Sequence, residues 1–491
     1  MIKSYLLVFC LLLWFSSCKK NIGDITPSDP SVITIPSSPD LHPFAITISD
    51  LTTTSVKLQW SEAADYQSDS ILYDVSLDGT EIASNLKKTS YTIHGLIPAI
   101  TYHLQIRANA SENNYIVAAT DFTTMDGYIK FNKTYYPDVY VWDVALSPDN
   151  GYLMCLSNGR HQLEHSLEII KTDSLGNELW KKDYPYDGTR VKMLRTKDGY
   201  YIMGPAQFVV KIDFNGNELW HTILSALGKH FTSIFEASNG DLLLTGGENG
   251  SDTTRLNQAS ITRLDSHGDL IWHKSYGTSF YGQTNDIINA DTQGDFFVVG
   301  TKETSGLTSW RYLHGGGSGN SDFWLFKINS DGEVIWEKTY GDKRYDFAAG
   351  IRIVNNQLVF GGFNMGIGDI REIQLFRASL DGTLLKTIPV KPEAFYDRLN
   401  FIETTSDNGY IIIYDSGLGT GYPVLGVTKY DSADNKQWEN TYSPGFPYIT
   451  YSKTIRQTPD DGYIVPANKS KLYGEGANTW LLKLNPQGSY Q

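Results

Sequence analysis

The feature that most limits what this chain can become is a unit that returns seven times after Gly127. Each copy opens with a turn and an apolar run, continues through a second strand ending in Lys-x-Asp or a close variant, and passes a Gly turn into Leu-Trp and Lys-x-Tyr. The opening turns stand at Asp149-Asn150-Gly151, Asp198-Gly199, Asn239-Gly240, Gln293-Gly294, Asn355-Asn356, Asn408-Gly409 and Asp461-Gly462. The second hairpins stand at Gly176-Asn177, Gly216-Asn217, Gly268-Asp269, Asp331-Gly332, Asp381-Gly382, Asp434-Asn435 and Gln487-Gly488. Such pairs supply the positive φ that tight hairpins require, so each unit holds several short antiparallel strands. A period of roughly forty to sixty residues, with tryptophan returning at Trp180, Trp220, Trp272, Trp336 and Trp438, fits a radial array of four-stranded blades better than a sandwich.

The series resembles the bacterial propeller repeats whose consensus runs Asp-Gly-Gly-Tyr-Ile, then Trp-Leu-x-Lys-Leu-Asp, then Gly-Asn-x-x-Trp; Trp324 to Ile328 and Trp480 to Leu484 carry the middle element. The resemblance implies an all-β chain with a seven-bladed β-propeller over 126–491. The two ends of the array do not match. The last unit passes Gly488 without its outer Trp-x-Lys-x-Tyr strand, whereas Phe131-Asn132-Lys133-Thr134-Tyr135 provides that spacing at the start. The segment at about 128–136 is therefore expected to pair into the last blade and close the ring, which removes edges that invite aggregation. Thr222 and Leu224 in one unit, and Lys386, Ile388 and Val390 in another, depart from the pattern.

Ahead of the array, Val56-Lys57-Leu58-Gln59-Trp60 and Tyr102-His103-Leu104-Gln105-Ile106 alternate at period two, the mark of half-buried strands. Trp60, Tyr73 and the run Leu96-Ile97-Pro98 before Tyr102 resemble a fibronectin type III domain. That implies a β-sandwich over 42–125, with Tyr102 as a tyrosine corner whose hydroxyl bonds back to upstream backbone. In this setting the module is expected to act as a spacer.

Residues 1–17 have a short basic start at Lys3 and an apolar run from Tyr5 to Phe15, too short to span a bilayer. Ser16-Ser17-Cys18 resembles the lipobox of bacterial lipoproteins. This implies that Cys18 is acylated and tethers the mature chain to a membrane, with Lys19 rather than Asp beside it pointing to the outer membrane; which leaflet it faces stays open. Residues 18–41, rich in Ser, Pro, Asp and Thr, read as a flexible tether.

The formal net charge of −14 opposes a phosphate backbone and argues against nucleic acid. Cys155 is the sole thiol beyond the leader, and no spaced His and Cys pairs are present for zinc, so no metal or other cofactor is expected. Within the units the first and third turns are uniform, while the second and fourth connections vary in length. Variable loops on a rigid scaffold are where binding resides. The ligand-binding candidates on that face are Tyr136, Tyr186, Tyr281, Trp310, Tyr345, Tyr396 and Tyr448, aromatics that stack on sugars, anchor a protein, or simply pack between blades. Asp138, Asp346, Glu393 and Asp397 supply carboxylates for a polysaccharide-degrading enzyme, but acids at turns more commonly hydrogen-bond backbone, and no catalytic residue is assigned. The preferred reading is a non-enzymatic envelope module binding a glycan or an envelope protein; the alternatives are a glycoside hydrolase or lyase and an assembly scaffold.

Overall fold

The computed structural model describes residues 43–490 except 64–70, 112–113, 126, 159–165, 205–206, 225–228, 250–256, 278–281, 292–293, 304–320, 342–343, 366–369, 391–393, 396, 418–422, 446–447 and 472–476. The chain divides into two compact units, with the break between Gly127 and Tyr128. Cys18 lies outside the described residues.

In the first unit, strands Ile46–Ser49, Ser55–Trp60 and Ser90–His94 form one sheet. Strands Thr80–Leu86, Leu72–Leu77, Thr101–Ser111 and Asn114–Thr123 form the other. Val56, Leu58, Val75, Leu104 and Ile106, every second residue of their strands, are wholly buried between the sheets, which is the pattern that a pleated strand with one wet face dictates. Trp60 meets Tyr73 edge to face at 5.4 Å. The Tyr102 hydroxyl accepts the Ile97 N–H at 2.8 Å, pinning the crossing as expected of a tyrosine corner.

The second unit is a seven-bladed β-propeller. The first blade runs Val139–Leu146, Tyr152–Asn158, Ser166–Thr172 and Glu178–Asp187. The second runs Lys192–Arg195, Tyr200–Gly204, Phe208–Ile212 and Glu218–Ile223, and the third Lys229–Glu236, Leu242–Asn249, Asn257–Leu264 and Leu270–Tyr276. The fourth (Gly282–Asn289, Phe296–Glu303, Ser321–Ile328, Val334–Tyr340) and fifth (Tyr345–Val354, Gln357–Met365, Ile370–Ala378, Leu384–Ile388) are joined by one parallel bridge, Ser321 to Tyr345. The sixth comprises Arg398–Thr404, Tyr410–Ser416, Val424–Tyr430 and Lys436–Tyr442. The seventh takes Tyr448–Ser452 with Arg456–Gln457, then Tyr463–Lys471 and Ala477–Leu484, and its outer strand is Phe131–Thr134.

That outer strand closes the ring: Phe131 to Thr134 pair antiparallel with Lys483 to Trp480, and the Tyr135 N–H continues the ladder to the Thr479 carbonyl at 2.8 Å. Asn468 adds a clamp, its side-chain amide bonding both the N–H and the carbonyl of Val141 at 2.8 Å.

The middle strands are buried on both faces, as Tyr410–Ser416 is throughout, because each blade stacks against two neighbours. This is why they read as nearly continuous apolar runs. Blades lock through a repeated contact. An aromatic of one outer strand covers the hairpin glycine of the next blade, and a hydroxyl two or four residues on donates to that glycine's carbonyl: Tyr184 to Gly216 at 2.6 Å, Thr222 to Gly268 at 2.9 Å, Tyr276 to Gly332 at 3.0 Å and Tyr442 to Gly488 at 2.6 Å. The closeness explains the glycine, since a Cβ on Gly216 would stand 2.6 Å from the Trp180 ring. Thr222, one of the departures, thus does the work of the missing tyrosine. The other departure, around Lys386, replaces the contact with ion pairs.

Candidate functional site

The innermost strands of all seven blades line one channel, with a cavity of about 430 Å³. Its lining follows from register. In six blades the residue two before the end of the inner ladder, and in the fifth the residue three before it, is apolar and turned into the packing between blades: Val144, Met193, Ile234, Ile287, Ile351, Ile402 and Ile455, all buried. Strand alternation then turns its neighbours on either side toward the axis. One neighbour ring includes Asp143, Lys192, Ser233, Asp286 and Phe401; the other includes Arg352, Glu403 and Arg456, and all of these line the cavity. A bulge sets this phase in the first, third, fourth, fifth and sixth blades, where the inner ladder slips by one residue, as between Phe231 and Ser233 or Thr284 and Asp286.

The charges form a chain around the channel. Asp143 lies 3.3 Å from Arg456, Arg456 lies 3.6 Å from Glu403, Glu403 lies 3.8 Å from Arg352, and Arg352 lies 2.6 Å from Asp286. Both aspartates also bridge blades through backbone: Asp143 accepts the Met193 N–H at 3.0 Å, and Asp286 accepts the Ile287 and Ile351 N–H groups at 3.0 and 3.2 Å. The guanidinium carbons of Arg456 and Arg352 stand 4.7 and 4.9 Å from the centre of the Phe401 ring, with Lys192 Nζ at 6.0 Å. Burial pushes the Lys192 amine down despite Asp143 and Asp286. Burial acts against the Arg352 charge too, but Asp286 and Glu403 outweigh it and hold its pKa above the ordinary value. The carboxylates are engaged as acceptors for backbone and guanidinium groups, an arrangement that fixes charge in place.

Of the aromatics expected at a site, Tyr136 and Tyr186 lie between blades. Tyr136 donates to Glu178 and has Lys181 Nζ 4.8 Å above its ring; Tyr186 stacks on Phe208 at 4.7 Å and donates to Glu218 at 3.0 Å. Tyr345 and Tyr448 begin inner strands at the end where the variable connections emerge, and Lys469 Nζ sits 4.5 Å from the Tyr448 ring centre. Tyr281, Trp310 and Tyr396 lie outside the described residues. Among the candidate carboxylates, Asp397 is fully buried and accepts the Gly417 N–H at 3.0 Å. Asp138 holds a turn at φ 60°, Asp346 is buried, and Glu393 lies outside the described residues. Among the described residues no group of three His, Cys, Asp or Glu is placed to hold a metal ion.

The channel charges were missed in the sequence, although a signal was there. Asp143 in Val141-Trp142-Asp143-Val144 and Arg352 between Ile351 and Ile353 each place a charge inside an apolar run, and Asp286 before Ile287-Ile288 and Arg456 after Ile455 each set one beside isoleucine.

The chain combines a β-sandwich with a β-propeller whose axial channel is lined by charge. Residues 41–117 match the fibronectin type III domain family. No curated protein matches the chain. Among solved structures, one described as the Dos1 propeller is similar with a TM-score of 0.41 and 12% identity, covering 78% of this chain and 88% of that one. The crystal structure of BamB from Moraxella catarrhalis gives a TM-score of 0.39 and 10% identity, covering 72% of this chain and 98% of that one.

Proposed function

We propose that this protein is a lipoprotein of the bacterial outer membrane, anchored through Cys18, whose propeller binds a glycan at the variable-loop end of the channel. The observation that carries the reading is the channel itself, a cavity of about 430 Å³ within the size range of ligand pockets, with carboxylates committed to structural bonds rather than poised for acid-base work. Tether and sandwich serve as the spacer. Affinity electrophoresis of the detergent-solubilised protein against a panel of polysaccharides tests it, with Tyr345→Ala and Trp310→Ala as variants. Retardation without product release, weakened in the variants, is expected; release of product would favour the hydrolase or lyase reading.

A second reading, an envelope scaffold, is favoured by a separate observation. Leu179, Leu219, Ile271, Ile335 and Leu385, at one repeat position on the outer strands of the first five blades, are each about half exposed (56, 52, 48, 51 and 48%). Aliphatic side chains repeated along a rim fit burial by a protein partner. No retardation by any glycan, together with a stable envelope partner in pull-downs lost on Leu219→Asp, would favour this reading.

A further inference from the structure

At its variable-loop end the channel opens among cations that the acidic chain as a whole does not foreshadow. Lys453 Nζ donates to Asn400 Oδ1 at 3.1 Å and lies 3.8 Å from Asp415. Arg398 pairs in register with Asp415 and lies 5.6 Å from the Phe363 ring centre in the preceding blade, as does Arg371 from the strand paired with that of Phe363. Arg190, in the connection to the second blade, holds a left-handed backbone at φ 52°, a conformation arginine seldom adopts and one that collects at functional sites. These groups sense one another. Burial first, and then the charges of Arg398, Lys192 and Arg190, push the Lys453 amine down to about 8 against the pull of Asp415. Arg398, though exposed to solvent, is likewise lowered by the protein packed around it, with Arg371 and Arg190 adding to the effect and Asp415 opposing.

An independent observation lies just inside. Two amides that line the cavity each keep one buried atom without a hydrogen-bond partner among the described residues, Asn400 Nδ2 and Asn285 Oδ1. Lys453 donates to the other end of Asn400, which only an oxygen can accept, so the atom left over is a donor. The leftover atom of Asn285 is an acceptor. A buried polar atom without a partner is unfavourable and calls for one.

We propose that this end of the channel binds a sugar acid, its carboxylate held by Lys453, Arg398 and Arg190, and its hydroxyls meeting Asn400 and Asn285. The two amides distinguish the ligand class. A sugar carries several hydroxyls that accept from Asn400 and donate to Asn285 while its carboxylate stays with the cations, whereas inorganic phosphate, which keeps a P–OH near neutral pH, has one small centre for all of these contacts. The inference rests on the glycan-binding reading and names the class of its ligand.

Titration calorimetry of the detergent-solubilised full-length protein tests it with D-glucuronate, D-glucose and inorganic phosphate, and with a polyuronate to separate a free sugar acid from the same group within a polymer. Glucuronate or the polyuronate is expected to bind, with glucose and phosphate at least about tenfold weaker, the scale of one charge-assisted hydrogen bond. Lys453→Gln, Arg398→Gln and Asn285→Ala should each weaken binding about tenfold while the melting transition is retained. Affinity should also fall as pH rises from about 7 to about 9, as Lys453 loses its proton, and Lys453→Gln should abolish that dependence. Equal affinity for glucose and the acids, tight phosphate without either acid, or binding unchanged by all three variants overturns the inference. If a neutral polysaccharide is retarded while neither acid binds, the inference fails and the glycan-binding reading stands; if no glycan of any charge binds, both fail.

Discussion

Arg377 and Asp434 form a buried ion pair between the fifth and sixth blades, with Arg377 Nε 2.7 Å from Asp434 Oδ2 and both side chains almost fully shielded, 5% and 3% exposed. Lys386 joins at 2.8 Å and the Tyr410 hydroxyl at 2.9 Å. Elsewhere this place holds an aromatic ring over a glycine. Here Asp434 stands at the glycine position, with φ 70°, and Lys386 stands at the tryptophan position. The substitutions belong together, because an aspartate at the hairpin would clash with a ring but attracts a cation. Burial works against the Asp434 charge, and bonds from Arg377, Lys386 and Tyr410 overcome it and lower its pKa.

Removing the charge from Asp434 should therefore leave Arg377 buried and uncompensated. Asp434→Asn keeps a side chain that tolerates the left-handed backbone, yet is expected to cost about 3–5 kcal/mol in denaturant unfolding of the propeller. Arg377→Met combined with it should cost less than the sum of the two, a coupling that a double-mutant cycle reads directly.

Two glycines with similar backbone separate conformational strain from close approach. Gly445 has φ 87° and nothing within 4 Å of a Cβ among the described residues, whereas Gly216 has φ 73° and the Trp180 ring where a Cβ would go. Gly445→Ala should cost about 1–2 kcal/mol from the left-handed conformation alone. Gly216→Ala should cost about 1–3 kcal/mol more, because the ring must move. Comparable losses from the two would show that the blade contact is looser than the geometry indicates.

Closure of the ring depends on Asn468, which satisfies both backbone groups of Val141 across the seam of first and last blades. Asn468→Ala is expected to cost about 1–3 kcal/mol for each backbone group left unpaired. Hydrogen exchange should show Val141 losing protection well ahead of Cys155 in the neighbouring strand. Uniform protection across the first blade in the variant would mean that water replaces the amide.

Lys453 makes stability depend on pH with a definite sign. Its folded value is about 8, below the roughly 10.4 of an unfolded lysine. Between these values the unfolded chain binds more protons, so this group's contribution makes stability rise with pH across that window and leaves it unchanged below both values. Burial raises Tyr184, Tyr276 and Tyr442 well above the ordinary phenol range, so above about pH 10 they act in the opposite direction and favour unfolding. Lys211 and Lys327, held above the ordinary amine value, oppose Lys453, while Lys192 and Lys483, held below it, act alongside it. The diagnostic quantity is therefore the difference between wild type and Lys453→Gln. The denaturant midpoint of wild type should rise relative to that of Lys453→Gln as pH rises from about 8 to about 10; parallel curves would place the Lys453 charge in solvent.

Much of the architecture was legible because it is written locally. Asn-Gly and Asp-Gly turns, period-two alternation in Ser55–Trp60, and the displaced strand at Phe131–Thr134 each declare themselves within a few residues, and repetition across the chain turned those signals into blades and a closure. The aromatic candidates were less legible. The same Tyr type serves as a packing residue at Tyr186 and stands at the mouth at Tyr345, and a residue's type does not say which face its loop presents.

By itself, then, the sequence determined the strands, their turns and the number of blades, since these depend on backbone sterics and on the periodicity of apolar side chains. Only the tertiary structure decided that Asp143, Arg456, Glu403, Arg352 and Asp286 meet around one channel, and that Asn400 and Asn285 face it with an atom each to spare. Those residues come from five blades and are up to 313 positions apart in direct contact, and for all but Arg456 their direction rests on a one-residue bulge that reverses the phase of an inner strand. Contact at such range is fixed by ring closure and register, which no local pattern encodes.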